Sequence, residues 1–362
     1  MALAPLDFPA SPTVGLLYPD PPVTGQPTYK WDGAQWLAYR ASGTPGLTVP
    51  AAPFDALAYN GMQVNGSMEV SQERAIGTSI SNIQGPYVLD GWLQASSLST
   101  GAGTFVAGPV GAQLPGNYLQ FQVTTAQATI GSNFVRLIQN IEGYRFSRVA
   151  WGTANAQPLT IGFWARAALA GTYGLYVFNF DNSANTALLP FTLAGGGTFQ
   201  WVTVQVPAVT TGTWKSDNNI GAKLMFEVCS SATPNIMATN GNYFSITGVV
   251  VLPGIEAPTA AQSPLIMRPF DQELLTCRRY FQRYQGVIVG GYGPGASVIY
   301  NSIPLSLPMR AAPTITTSGA YSNASGLSTF GATNSSIIMQ IVITATGYGF
   351  ANLDAMDLNV RL

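Results

Sequence analysis

The stretch FQWVTVQVPAV, residues 199–209, alternates along its length, with Val202, Val204 and Val206 set against Trp201, Thr203 and Gln205. A period of two with one polar side is what a strand needs when one face of its sheet meets a core and the other meets water. NYLQFQVTTA (117–126) repeats the pattern, with Leu119, Phe121 and Val123 opposite Gln120 and Gln122. LTIGFWARA (159–167), GLYVFNF (174–180) and GAKLMFEVCSS (221–231) read as further strands of the same body. Together they predict an all-β fold whose centre is an antiparallel jelly-roll sandwich over residues 69–258.

Composition agrees. The chain has 362 residues with 39 glycines and 25 prolines, both of which penalise helix interiors and suit turns. Only 9% of residues are charged, the net charge is -1 and the mean hydropathy is +0.20. So few charges on so apolar a chain predict that partner subunits cover much of the surface. The longest apolar runs, such as ITGVVVLP (246–253), fall far short of the roughly 20 residues of a spanning helix, and no basic region followed by an apolar core opens the sequence. The expectation is a soluble protein with no membrane insertion and no usual secretion signal.

Histidine is absent, which removes Ser-His-Asp and Cys-His catalysis and the commonest zinc sites. Cys229 and Cys277 are too few for a metal cluster and read as free thiols of a protein made in the cytoplasm. With an isoelectric point near 5.4 and scattered basic residues, nothing points to nucleic acid. No cofactor and no metal is expected. Asp181, Asn182 and Asn185 in FNFDNSANT are oxygen ligands suited to Ca²⁺, but a β-turn of those residues is the commoner explanation.

On either side of the sandwich the organisation changes. Residues 1–45 form a small β module in which Trp31 and Trp36 flank an Asp32-Gly33 turn, and residues 46–68 read as a linker. Trp31, Trp36 and Tyr39 are candidates for docking onto another protein, or for filling a tiny core. Residues 259–285 hold a bridge and one helix, FDQELLTCRRYFQRYQG (270–286), with Asp271 as a cap and Leu274, Cys277, Phe281 and Tyr284 on one face. That face packs either around a symmetry axis or inside one subunit. In the first case Arg278, Arg279 and Arg283 pair with Asp271 and Glu273 of neighbouring chains. Residues 286–362 form a terminal β-sandwich with loops GGYGPGA (290–296) and SGAYSNASGLSTFGATNSS (318–336), rich in adaptable binding residues.

Several phrases in order resemble the fibre-type structural proteins of tailed bacteriophages, whose middle domain is a jelly roll similar to carbohydrate-binding modules. They are NGSMEVSQERAIG (65–77), YVLDGW (87–92), IEGYRFSRV (141–149), LTIGFWARA, FSITGVVVLPGIEAPT (244–259), RPFDQELLTCRRYFQRY (268–284) and LPMRAAPT (307–314), with FPASPTVG (8–15) in the first module. The resemblance implies a homotrimeric virion appendage, a tail fibre or a head fibre, assembled in the host cytoplasm. Its N-terminal module would attach to another phage structural protein and its tip would touch bacterial surface polysaccharide. Val250, Val251 and Leu252 replace a polar phrase usual in the family, so no ligand role carries over to them.

Glycan cutting would need two carboxylates placed together, and no motif pairs Glu69, Glu73, Asp90, Glu142, Asp181, Asp217, Glu227 and Glu256. Glu227 alternates with apolar neighbours and is expected to point away from the core. No catalytic residue is assigned. Sugar binding needs only a ring to stack on and a few amides or hydroxyls. Trp151, Trp164, Trp201 and Trp214 are available in the sandwich; Trp214, in a polar loop, is expected to be exposed, and Tyr292, Tyr321 and Asn323 are the candidates at the tip.

Overall fold

The computed structural model describes residues 8–20, 28–39, 61–81, 87–109, 111, 114, 116–181, 187–255 and 258–362. Residues 1–52 and 53–362 form two compact units. In the first, β1 (Leu17–Tyr18), β2 (Thr28–Trp31) and β3 (Trp36–Tyr39) pair antiparallel, with Trp31 opposite Trp36. The turn is made as its sequence predicts: the Asp32 carboxylate accepts the N–H groups of Ala34 and Gln35, each at 2.8 Å, and Gly33 takes φ +110°. Phe8 stacks on Trp36 at 5.0 Å and meets Tyr29 edge-on at 5.2 Å. Rings replace the aliphatic core that so small a unit cannot assemble. Trp31 and Trp36 are half-buried, and the Tyr39 side chain lies outside the described residues.

The second unit opens with the jelly roll. One sheet runs in the order β13 (Gln200–Val206), β10 (Leu159–Ala167), β15 (Tyr243–Pro253), β8 (Asn117–Thr125), β7 (Ala102–Pro109), β4 (Ile80–Ser81). The other runs β12 (Ala187–Leu193), β11 (Gly171–Phe178), β14 (Ile220–Cys229), β9 (Phe134–Glu142), β6 (Trp92–Ser97), β5 (Tyr87–Leu89). The alternating stretch at 199–209 forms the edge strand β13, and Val202 and Val204 pack against the core between the sheets. Phe105, Phe121, Phe163, Phe226, Phe244 and Trp92 are fully buried there. Each contributes about 2–3 kcal/mol through the apolar area it removes from water. Phe163 meets Phe226 edge-to-face at 5.0 Å.

The structure corrects the end of the linker; residues 46–60 lie outside the described residues. Met62, Val64 and Met68 are buried, and Asn65 is a hub: its Nδ2 donates to the carbonyls of Val70 and Asp90, its Oδ1 accepts from Glu69 and Val70, and its N–H donates to Glu273 Oε1 at 2.7 Å. Local turn composition does not reveal that these short side chains satisfy buried backbone far along the chain.

It also corrects the helix. Among the described residues the α-helices are α1 (Gly143–Phe146) and α2 (Phe270–Arg278). Pro269 is the N-cap residue of α2, and Asp271 forms no capping bond. Phe281 and Tyr284 belong to β16 (Phe281–Tyr284), so the four expected helix residues do not share a helical face. Cys277 and Tyr280 are buried against Val64 and Val70 of the same chain, with Leu274 beside them. Nor do Arg279, Arg283 and Glu273 wait for a neighbouring chain: Arg279 holds Glu142 through two bonds of 2.7 and 3.0 Å, Arg283 forks onto Asp357, and Glu273 pairs with Arg268 at 3.0 Å. Both cysteines are free and buried.

The terminal sandwich contains β17 (Val287–Gly293), β18 (Val298–Pro304), β19 (Thr314–Ser322), β20 (Ala324–Ala332), β21 (Ser336–Ile343) and β22 (Gly347–Asn359). β16 and β17 follow one side of β22 end to end and β19 follows the other; β18, β21 and β20 make the second sheet. Ile337, Met339, Ile341, Ile343, Leu353, Met356 and Leu358 fill the space between. Most of residues 318–336, expected as a loop, is strand, because ladder bonds to β22 and β21 satisfy a backbone whose small side chains do not oppose pairing.

Candidate functional site

Strand alternation sends every second residue of the first six-stranded sheet away from the core. On β10 these are Trp164 and Arg166, on β15 Tyr243, Ser245 and Thr247, and on β8 Tyr118, Gln120 and Gln122. Register sets Arg166 beside Ser245, Ser245 beside Gln120, and Trp164 beside Thr247. The Arg166 guanidinium carbon lies 4.6 Å from the ring centre of Phe199, 4.9 Å from Tyr118 and 5.3 Å from Tyr243. Its Nε donates to Ser245 Oγ at 3.3 Å and its Nη2 to Gln120 Oε1 at 3.4 Å, while Ser245 donates to the same oxygen at 2.9 Å. Among the described residues no carboxylate lies within ion-pair distance of Arg166. Ring faces and neutral acceptors hold the cation, which fixes three aromatic planes around a polar centre.

The rest of this face is covered by the chain's own segment 258–270. Ile266 and Met267 pack on Val250 and Leu252. Trp201 Nε1 donates to the Pro258 carbonyl, and Trp164 Nε1 to Ser263 Oγ, each at 2.9 Å. Val250 and Leu252 therefore seat this segment, while Val251 between them faces the sandwich core. Between it and the start of β8 opens a cleft of about 430 Å³, lined by Trp164, Thr247, Glu69, Met267 and Phe270 among others. Gly248 at its wall has φ +60°, and a Cβ there would stand 3.0 Å from Trp164 Cδ1. Glu69 is the carboxylate of the lining. The Trp164 ring, the exposed Phe270 ring, the hydroxyls of Ser67, Thr247 and Ser263 and the Glu69 carboxylate line one cleft, a set that suits a polyhydroxylated ligand, with rings to lie on C–H faces and oxygens to meet hydroxyls.

The residues singled out from the sequence do not converge on this face. Trp214, expected in the open, is half-buried, stacked on Phe146 at 5.4 Å and edge-on to Trp151 at 4.8 Å, closing the sandwich core. Tyr292 is exposed, but on strand β17 opposite Tyr348. Tyr321 pairs with the buried Ala351, so it points to the other side of that sheet. Asn323 sits at φ 46° and ties down the next turn, its Oδ1 accepting from Thr344 and Ala345 at 2.9 Å and its Nδ2 donating to the Ala345 carbonyl at 2.8 Å. Asp181 pairs with Lys215 at 3.1 Å, and its N–H donates to Asn179 Oδ1; Asn182 and Asn185 lie outside the described residues. Glu227 turns from the core as expected, but Arg136 holds it at 2.9 Å and it is almost fully buried. Sequence reasoning missed Tyr118, Arg166 and Tyr243. The available signal was a lone arginine in an outward position of an otherwise apolar strand.

No protein-family model matches the chain, and no curated protein matches its sequence. Solved structures similar to this chain include sugar-binding modules. The enzymatically active domain of tailspike protein 4 of bacteriophage CBA120 aligns at 14% identity and TM-score 0.32, covering 54% of this chain and 22% of that one. A putative sugar binding protein from Bacteroides thetaiotaomicron aligns at 12% identity and TM-score 0.32, over 53% and 99% of the two chains. A family 11 carbohydrate-binding module from Clostridium thermocellum, solved with a mixed-linked tetrasaccharide, aligns at 11% identity and TM-score 0.28, over 51% and 100%. At these scores the functional reading rests on the side chains described above.

Proposed function

We propose that this protein is a non-enzymatic, homotrimeric appendage of a tailed phage, a tail fibre that contacts host surface glycan through the outer face of its jelly roll. The observation that carries the binding role is the half-buried box of Tyr118, Phe199 and Tyr243 around Arg166, on the same outer face of β10 as Trp164, which lines the cleft. The phage assignment and the docking role of the N-terminal module rest on the ordered phrases of the sequence. Of the two places that the sequence offers for contact, the sandwich and the tip loops, this reading takes the sandwich, on a face that the candidates Trp214, Tyr292, Tyr321 and Asn323 do not share.

Calorimetric titration of the full chain with neutral oligosaccharides tests this. Binding in the millimolar to micromolar range is expected, falling at least tenfold in Tyr118→Ala and Arg166→Ala, whose rings and fork are lost. Unchanged affinity in both variants overturns the assignment of the face. Shortened oligosaccharides after incubation would make the protein a depolymerase and overturn the non-enzymatic reading.

A further inference from the structure

A second concave site lies where α1, the turn after it and α2 meet. It encloses about 370 Å³ and is lined by Glu142, Tyr144, Arg145, Arg148, Arg268, Gln272, Thr276 and Arg279. Four guanidiniums in one cleft is a heavy concentration for a chain with 15 lysines and arginines in 362 residues.

Their charges are not all spent internally. Arg268 is buried and committed to Glu273 and to the carbonyls of Gly61 and Gln63. Arg279 is committed to Glu142, which also accepts from Tyr280 at 2.8 Å. That leaves Arg145, half-buried and close to Tyr280, and Arg148, exposed. Among the described residues neither has a carboxylate within ion-pair distance. Two positive charges in excess therefore face a cavity that also offers the Gln272 amide and the Thr276 and Tyr144 hydroxyls. Low-dielectric walls focus such a field, and guanidinium forks match a planar or tetrahedral oxyanion. The volume lies at the lower end of ligand-pocket sizes, about 300–1,000 Å³, enough for a sugar ring with its substituent.

We infer that the Arg145–Arg148 cleft binds a sugar bearing an oxyanion, of the kind an acidic residue of a surface glycan supplies. The inference rests on the glycan-binding reading above, and the two sites fail separately. Glucuronic acid and glucose 6-phosphate, a carboxylate source and a phosphate source, are titrated into the full chain beside glucose and inorganic phosphate.

At least one of the charged sugars should bind tenfold or more tighter than glucose and than inorganic phosphate, and weaken as salt is raised. Arg145→Ala/Arg148→Ala should abolish that preference while leaving neutral oligosaccharide binding intact. Arg148→Ala alone, at an exposed position, should weaken it several-fold and guards against misfolding of the double variant. Equal affinity for glucose, inorganic phosphate binding as tightly as the sugars, or indifference to both variants overturns the proposal. So does dissociation of the assembly in the double variant, which would assign the cleft to an interface between copies.

Discussion

Asp90 shows how burial sets the behaviour of a single group. It is almost fully enclosed, and burial pushes its carboxyl up to about 6, against hydrogen bonds from Gln72 that favour the ionised form. A carboxyl raised above its unfolded value keeps its proton in the folded state while the unfolded chain has lost it. The folded state thus binds more protons between about pH 4 and 6, and stability falls as pH rises through that window. Asp90→Asn removes the titration. Above pH 6 the variant should be more stable than the parent by up to about 3 kcal/mol, and the difference should vanish near pH 4, read from urea melts at both pH values. Equal pH slopes for the two proteins would exclude a buried charge at this position. At this scale the sequence is least informative: Asn323 and Trp214 looked like exposed ligand contacts, and neighbours distant in sequence turn one into a turn tie and the other into a core lid.

Among the elements, the segment 270–286 teaches most. Its apolar spacing suits a helix throughout, but nine residues of helix are marginal alone, and β22 offers a ladder to residues 281–284. Non-local pairing wins over local periodicity. The arginines of this region then act as clasps between the two sandwiches of the unit. Arg310 is the clearest: its Nε donates to the Val360 carbonyl and its Nη1 to the Asn218 carbonyl, each at 2.5 Å, and its own carbonyl accepts from Asn218 at 2.9 Å. Arg310→Ala should leave both sandwiches folded yet raise hydrogen exchange at Asn218–Ile220 and Val360–Leu362, because charge-assisted bonds there have no replacement. Protection unchanged in both segments would mean that other contacts hold the junction.

For the whole molecule, the scarcity of charge becomes a surface property. Between Arg283 and Asp354 the only charged side chain is Arg310. One outer face of the terminal sandwich exposes Ile288, Tyr292 and Tyr348, and the other exposes Val298, Tyr300 and Phe330, the last two 4.9 Å apart. Exposed apolar area on both faces of a single domain is unusual for a monomer and fits burial between copies. Assembly would also make weak sugar sites effective, since linked copies raise the local concentration for the second contact. Sedimentation velocity at micromolar concentration should show a trimer, and Ile288→Asp or Tyr300→Asp should shift it toward monomer with little change in far-UV dichroism. A monomeric parent protein removes the support for the fibre reading.

Alternation in the strands, abundant glycine and proline, and the missing histidine determined from sequence alone that the chain is a β-sandwich protein without histidine chemistry. These are local properties: a period of two states which side of a strand is apolar whatever it pairs with. Only the tertiary structure decided that Phe281–Tyr284 is strand, that residues 61–68 are buried, that Arg279 and Arg283 close onto their own chain, and that Arg166 stands among three rings. Each of these depends on partners tens to hundreds of residues away, and which polar faces remain open is settled only after those partners have packed.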